Sequence, residues 1–460
     1  MRINSPTKRR ASAAITCLVS ASMILTGCAS DEEAAGVSGG ATVSVDEDLA
    51  QAASEKAAEL TAGIDVDPSI ELLGTNSGSE GAVLQRMYKS FTDGTGVAIN
   101  YTGTSDAPSI AEARLQSGNP VDVLTTQIGA MARYAQQGKL VNLSSYMEDE
   151  LEKNYGSALL DSVRVNGSIH GVFQGFNNFM LWFNPSVYSG PESPESTWDD
   201  VSVWADEAAQ AGNTPWCLPM EAGASTGFPG RQVLEILFLK KYGPEMYHKL
   251  GSGELPWTAP EVKDAFEMLG DMTLDPSKIL GGPRGALSSP TATGDAGLIT
   301  DPPQCQATVW GSWTAGLVGA TGTVEPGVNL DFVPVPPSNP AFARYENYQA
   351  EFLGAFKDTP TIRAFLEYVQ STEAQALLAS ANQWTVANVN VSPQTYDSPL
   401  LQRAAEHYFS GDVELVSGPN VMMTTAVKNA VQSGVVTYLT DSSQLDSVLS
   451  KIQTAQNESR

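Results

Sequence analysis

Ile70-Glu71-Leu72-Leu73-Gly74 is a short apolar run that stops at a glycine, and beyond a Gly/Ser-rich turn Val83, Leu84, Met87, Tyr88 and Phe91 recur at helical spacing. The pair predicts a strand followed by an amphipathic helix. Residues 97–101 read as a second strand, Ile110 and Ala113 mark a second helix, and residues 121–126 form a third β-rich run. The order βαβαβ predicts a mainly parallel sheet, because parallel neighbours must be joined by a crossover. Downstream the alternation resumes. Residues 163–172, 179–183, 307–310 and 330–334 are strand-like, 198–211 and 230–242 helical, and Ile362, Phe365, Leu366 and Val369 form another helical stripe. The expected class is α/β, with ligands at the carboxyl edge of the strands, where this chain places many Asn, Gln, Ser, Thr and aromatic residues.

The chain has 460 residues, 42% of them hydrophobic, which is enough to bury large cores. Fifty-two acidic against 26 basic residues give a net charge of −26, which repels nucleic acid and anionic membrane surfaces. No internal repeat is found.

Arg2, Lys8, Arg9 and Arg10 precede an apolar run over residues 11–25 that is too short to span a bilayer, as in a secretory signal. It ends in Leu25-Thr26-Gly27-Cys28, which resembles the bacterial lipobox, so residues 1–27 are expected to be removed and Cys28 diacylated as a membrane anchor. The alternative is an ordinary signal with a chance cysteine. Residues 28–68 read as the lipidated Cys and a solvated tether, with one weak helix near 47–60. Cys17 leaves with the signal and Cys28 is lipidated, so Cys217 and Cys305 remain as an even pair in an oxidising compartment. A disulfide is expected, with two buried thiols as the alternative.

Several further stretches are similar to the extracytoplasmic solute-binding proteins of carbohydrate ABC importers, the class that includes maltose-binding protein. They are Phe91-Thr92-Asp93-Gly94-Thr95-Gly96-Val97, then Gly118-Asn119-Pro120-Val121-Asp122-Val123, then Tyr134-Ala135-Gln136-Gln137-Gly138-Lys139-Leu140. The most specific is Asn166-Gly167-Ser168-Ile169-His170-Gly171-Val172, continuing to Leu181-Trp182-Phe183-Asn184. Thr197-Trp198-Asp199-Asp200 looks like the family's helix start, and Gly311-Ser312-Trp313 and residues 365–375 complete the series. Pro215-Trp216-Cys217, Thr226-Gly227-Phe228-Pro229-Gly230 and Thr300-Asp301-Pro302-Pro303-Gln304-Cys305 resemble the α-glucoside-binding branch, with Phe228 in place of the usual Trp.

The resemblance implies a two-lobe periplasmic-binding-protein-like fold of type II, with the ligand in a cleft that closes about a hinge. Residues 69–176 with 345–390 would form the first lobe, and 177–344 with 391–460 the second. It further implies a monomer, no cofactor, an α-glucoside di- or oligosaccharide as ligand, and an ABC permease as membrane partner.

A neutral sugar offers hydroxyls and an apolar ring face, so its site needs planar hydrogen-bonding side chains and flat aromatic surfaces. Trp313 is the expected stacking residue, unless it is a core Trp at a strand end. Asn76, Ser77 and Glu80 lie in the loop after the first strand, where Ser77 or Ser79 equally suits a helix N-cap. Thr126 and Gln127 follow the third strand, and Gln174, Asn177 and Asn178 are placed in a loop between two strands. Thr226 and Phe228 belong to the second lobe, and Tyr348 and Gln349 to the hinge, where Ala350-Glu351 replaces the Gly-Gly of many relatives. Trp182, Trp198 and Trp310 are expected in the core; Trp384 is left open between core and site.

Enzyme readings have less to stand on. Gly223-Ala224-Ser225-Thr226-Gly227 matches G-x-S-x-G, which would make Ser225 the nucleophile of a secreted serine hydrolase, but Pro219 interrupts the strand a nucleophile elbow needs. A glycoside hydrolase needs two spaced carboxylates, which spacing in the chain cannot identify. Gly74, Gly78 and Gly81 do not make a nucleotide loop, and His170, His248 and His407 are too scattered for a metal site.

Overall fold

The computed structural model describes residues 46–459, apart from Ser105, Ser162 and Gln383. The signal, the lipobox and Cys28 lie outside the described residues. Helix α1 (Glu47–Thr61) is capped by Asp46, whose carboxylate accepts from the backbone N–H groups of Asp48 and Leu49 at 2.9 and 3.2 Å. Strand β1 (Ser69–Gly74), helix α2 (Gly78–Thr95), β2 (Ala98–Gly103), α3 (Ala107–Gln116), β3 (Val123–Gln127) and α4 (Ile128–Gln136) follow the expected alternation. Gly96 ends α2 in the left-handed region, at φ 77°, where a side chain would be strained.

The stretch read as a tether needs correction. Ala53 and Ala57 of α1 are fully buried in the first core. Two small residues one turn apart let α1 approach α2 so closely that a Cβ on Gly94 would collide with the Ser54 carbonyl. The lack of large apolar side chains that suggested a solvated segment is what permits this contact.

The long strand β4 (Val172–Phe183) is followed by β5 (Ala307–Gly311), β6 (Asp331–Pro334), β7 (Tyr345–Ala355) and β8 (Glu414–Ser417). The order is β2-β1-β3-β7-β4-β5, with β6 also on β4 and β8 on β7. β1 pairs in parallel with β2 and β3, and β7 with β8, but β3–β7, β7–β4, β4–β5 and β4–β6 are antiparallel. The sheet is therefore mixed rather than mainly parallel. Helices connect β1 to β2, β2 to β3 and β7 to β8, and the parallel pairs lie among these strands, whereas the long helical connection from β4 to β5 brings the chain back antiparallel.

Residues 163–172 are not one strand. Asn166 and Gly167, at φ 52° and 79°, make a two-residue turn that pairs Val165 with Ser168, and β4 begins only at Val172. The helix start at Thr197 matches expectation: its hydroxyl accepts from Asp200 N–H while the Asp200 carboxylate accepts from Thr197 N–H, a capping box. The helix Phe228–Ser252 extends past the expected end at 242, across a kink at Gly243-Pro244.

Two large cores divide the sheet. The first gathers Leu72, Leu84, Phe91, Val123, Val172, Phe173, Phe176, Phe352 and Phe365; the second gathers Phe179, Leu181, Phe183, Trp216, Phe238, Val309 and Val435. β4 serves the first with its N-terminal half and the second with its C-terminal half. β7 likewise packs Tyr345 against the second core and Phe352 into the first. A third, smaller core holds Trp182, Trp310 and the Cys217–Cys305 disulfide, whose Cα atoms are 5.6 Å apart. The first core also takes in Leu401 and Ala405, beyond the expected limit at residue 390.

Candidate functional site

The carboxyl ends of β1 and β3 open towards one group of polar side chains. Asn76, in the turn after β1, is buried, and its Nδ2 donates to Glu80 Oε2 at 3.3 Å and to Glu351 Oε1 at 3.4 Å. One amide nitrogen thus serves two carboxylates. The Asn76 carbonyl accepts from Tyr101 OH at 2.7 Å, while its side-chain Oδ1 is buried with no hydrogen-bond partner. Ser77 holds the N-cap position of α2, but its hydroxyl accepts no capping bond.

Gln174 sits at a bulge. Phe173 pairs with Phe352 and Gly175 with Glu351, so Gln174 is the extra residue of β4, and a bulge re-aims its side chain. Its Oε1 accepts from Tyr88 OH at 2.6 Å and Thr125 Oγ1 at 3.1 Å, and its Nε2 reaches Glu351 Oε2 at 3.5 Å. Glu351 lies across from Gln127 on one side and Gly175 on the other, and a Cβ on Gly175 would touch both the Trp384 ring and Glu351 Oε2. Burial, then the nearby Glu80, push the Glu351 carboxyl up to about 7, against hydrogen bonds from Asn76 and Thr75. Glu80 is exposed at the rim, yet loss of solvation where it faces the cluster raises it, against its bond from Asn76.

Gln174, Asn177 and Asn178 therefore lie inside one continuous strand rather than in a loop between two. Neighbouring elements supply partners for their oxygens: Asn177 Oδ1 accepts from Ser312 Oγ at 3.1 Å and Asn178 Oδ1 from Thr385 Oγ1 at 3.1 Å, while Asn178 Nδ2 is buried with no hydrogen-bond partner. Asn177 lies opposite Gln349 and Asn178 opposite Tyr348. Tyr348 is buried and its ring stacks on Phe176 at 5.0 Å, so it packs the first core. Thr126 and Gln127 close β3, half-buried and exposed respectively.

The aromatic group stands on the other side of the same strand segment. Trp313, partly exposed, follows β5; its ring packs edge-on against Phe179 at 5.5 Å and Trp310 at 5.4 Å, and Phe228 reaches Trp310 at 5.5 Å. A side chain at Gly311 would collide with the Trp313 ring, which is why glycine stands two residues before it. Thr226 is occupied in its own turn, accepting from Ala222 N–H and donating to the Gly223 carbonyl. Trp182, Trp198 and Trp310 are buried, as expected, and so is Trp384. Ser312 links the groups: its N–H donates to the Asn178 carbonyl at 2.8 Å, next to Trp313. Gly175 to Phe179 thus separates polar and aromatic groups by about 13 Å of strand.

A fold whose long strands belong to two cores, with polar and aromatic groups at the junction, calls for comparison with known binding proteins. The sequence profile described as "Bacterial extracellular solute-binding protein" matches residues 74–376. The chain belongs to that family. As a solute-binding protein it is similar to the osmoprotective compounds-binding protein GgtB of Synechocystis sp., 27% identical over 375 residues that cover 80% of this chain and 88% of that one. It is also similar to the alpha-glucosides-binding periplasmic protein AglE of Rhizobium meliloti, 24% identical over 82% of this chain and 85% of the relative. A chitin oligosaccharide binding protein of solved structure shares the fold, with a TM-score of 0.70 and 20% identity over 85% of this chain and 98% of the other.

The family and the relatives to which the chain is similar are binding proteins rather than enzymes. Ser225 is exposed in the single turn Gly223–Ser225, without the strand a nucleophile elbow requires. Sequence reasoning did not single out Glu351, Tyr101, Tyr88 or Thr125. Glu351 stands two residues past Gln349, the last of the residues expected at the hinge, and only its pairing with Gln127 and Gly175 brings it to the cluster.

Proposed function

We propose that this protein captures an α-glucoside, a disaccharide or short oligosaccharide, on the outer side of the membrane and delivers it unaltered to an ABC permease while anchored by diacylated Cys28. The halves built on the first and second cores close on the sugar, the first drawing on helix α1 and on Leu401 and Ala405 as well as on residues 69–176 and 345–390. Asn76, Ser77, Glu80, Thr126, Gln127, Gln174, Asn177 and Gln349 meet its hydroxyls, and Trp313 and Phe228 its ring faces; Asn178, Thr226 and Tyr348 hold these groups in place.

The observation behind this reading is the pairing of a polar cluster without cations, Asn76, Glu80, Gln174 and Glu351, with the partly exposed Trp313 across one short stretch of β4. Carboxylates and amides suit hydroxyl donors, and an indole face suits a pyranose ring. The α-glucoside assignment draws on the likeness to AglE and on the Phe228 loop.

A thermal-shift screen with maltose, trehalose, sucrose and maltotriose tests it, since a ligand bound by the folded state alone raises the melting temperature. At least one sugar is expected to do so; none doing so would reject the carbohydrate reading. For the sugar that binds, calorimetry on Trp313→Ala is expected to show roughly 10- to 100-fold weaker affinity, as for the loss of one large stacking surface. Unchanged affinity would remove Trp313 from the site.

A further inference from the structure

We propose that Glu80 and Glu351 act as one proton-binding pair and that capture of a neutral solute takes up a proton at this pair. The inference rests on reading their cluster as the ligand site. Both carboxylates lie within 3.5 Å of a single nitrogen, Asn76 Nδ2, and that amide has only two hydrogens to offer them. The further donors at Glu351 are the Gln174 amide and Thr75, both neutral.

The groups facing the pair are few. Helix α2 contributes Glu80 itself and Tyr88, β2 contributes Tyr101, and β3 and β4 contribute the neutral Thr125, Gln127 and Gln174. Trp384 lies beside Gly175, next to the Glu351 carboxylate. Among the described residues, no Lys, Arg or His acts on either carboxyl. Glu351 is half-buried and Glu80 stands at the exposed rim, so two like charges meet with only neutral donors around them, an arrangement in which one group holds its proton while the other ionises. The direction in which burial and Glu80 move Glu351 is consistent with that geometry.

A neutral ligand placed over the pair removes more water and brings no charge, so it penalises the doubly ionised form further. The proton comes from solvent buffer and goes to a carboxylate oxygen; no covalent bond of the ligand changes. Because the bound state then holds the proton more tightly than the free state, affinity falls as pH rises through the free protein's midpoint.

The test is calorimetry of the full chain with the sugar identified from the four-sugar panel, at pH 6.0 and pH 8.5, in phosphate and in Tris. We expect affinity about tenfold weaker at pH 8.5 and a binding heat that differs between the buffers, as proton uptake requires. The pH 6.0 to 8.5 ratio should collapse towards one in Glu351→Gln and shrink in Glu80→Gln. A ratio near one in the natural sequence, or the same ratio in both variants, overturns the proposal. Independently, a carbon NMR titration of the Glu351 carboxyl without sugar should show a midpoint well above the ordinary carboxylate range. An ordinary midpoint in a protein that still binds sugar overturns the proton linkage alone, whereas failure of every sugar to bind overturns the carbohydrate reading and the linkage with it.

Discussion

Asp295 is a second acid in an unusual place, away from the cluster at Asn76. It lies in the turn Gly294–Leu298, 2% exposed, and neither carboxylate oxygen has a hydrogen-bond partner. Burial pushes its carboxyl up to about 7; the nearby Thr308 hydroxyl, too poorly placed to make a hydrogen bond, opposes this only in part. The folded chain therefore keeps this proton between about pH 4 and pH 7 while the unfolded chain has lost it, so this residue makes stability decline as pH rises across that window. Asp295→Asn is expected to melt higher than the natural sequence at pH 8 and close to it at pH 4. A melting difference that is the same at both pH values would show that the carboxyl does not titrate in that interval. By contrast, the buried pair Lys240 and Glu346, 2.7 Å apart, compensates its own charges.

Helix α1 depends on small residues at the line where it crosses α2. Gly94→Ala places a methyl group where the Ser54 carbonyl stands, so α1 must shift outward. The expected cost is about 1–3 kcal/mol in urea unfolding, together with faster protease cleavage near residue 60. No change in either measurement would mean that α1 contributes little to the fold. The same contact shows what the sequence could and could not reveal about elements. Apolar periodicity located α2 and the strands β1 to β3 because that signal is local, while the helix start at Thr197 came from the likeness of residues 197–200 to the family's own. The burial of α1 was not readable, since alanines at 53 and 57 look alike in a solvated helix and a tightly packed one. Gln174, Asn177 and Asn178 looked like loop residues because the groups they bond, Tyr88, Thr125, Ser312, Glu351 and Thr385, are far away in the chain. Glu351 became visible as part of the cluster only once β7 was set between β3 and β4.

For the molecule as a whole, the Cys217–Cys305 bridge closes a segment of 88 residues and sits in the small core with Trp182 and Trp310. On the chain-entropy account its reduction should cost about 4–5 kcal/mol, read as a lower denaturation midpoint in reducing buffer. An unchanged midpoint would show that the third core holds without it. The even cysteine count pointed to this pairing, while the two-core arrangement was implied by family likeness and not by any single motif. Within that arrangement β4 is one strand of twelve residues with no break between the cores. Because successive side chains alternate faces, inserting one residue at its centre would turn inward-facing groups outward along everything beyond that point. Two otherwise separate interiors would then be scrambled by a single codon, which makes the middle of this strand the least permissive place in the chain for a length change.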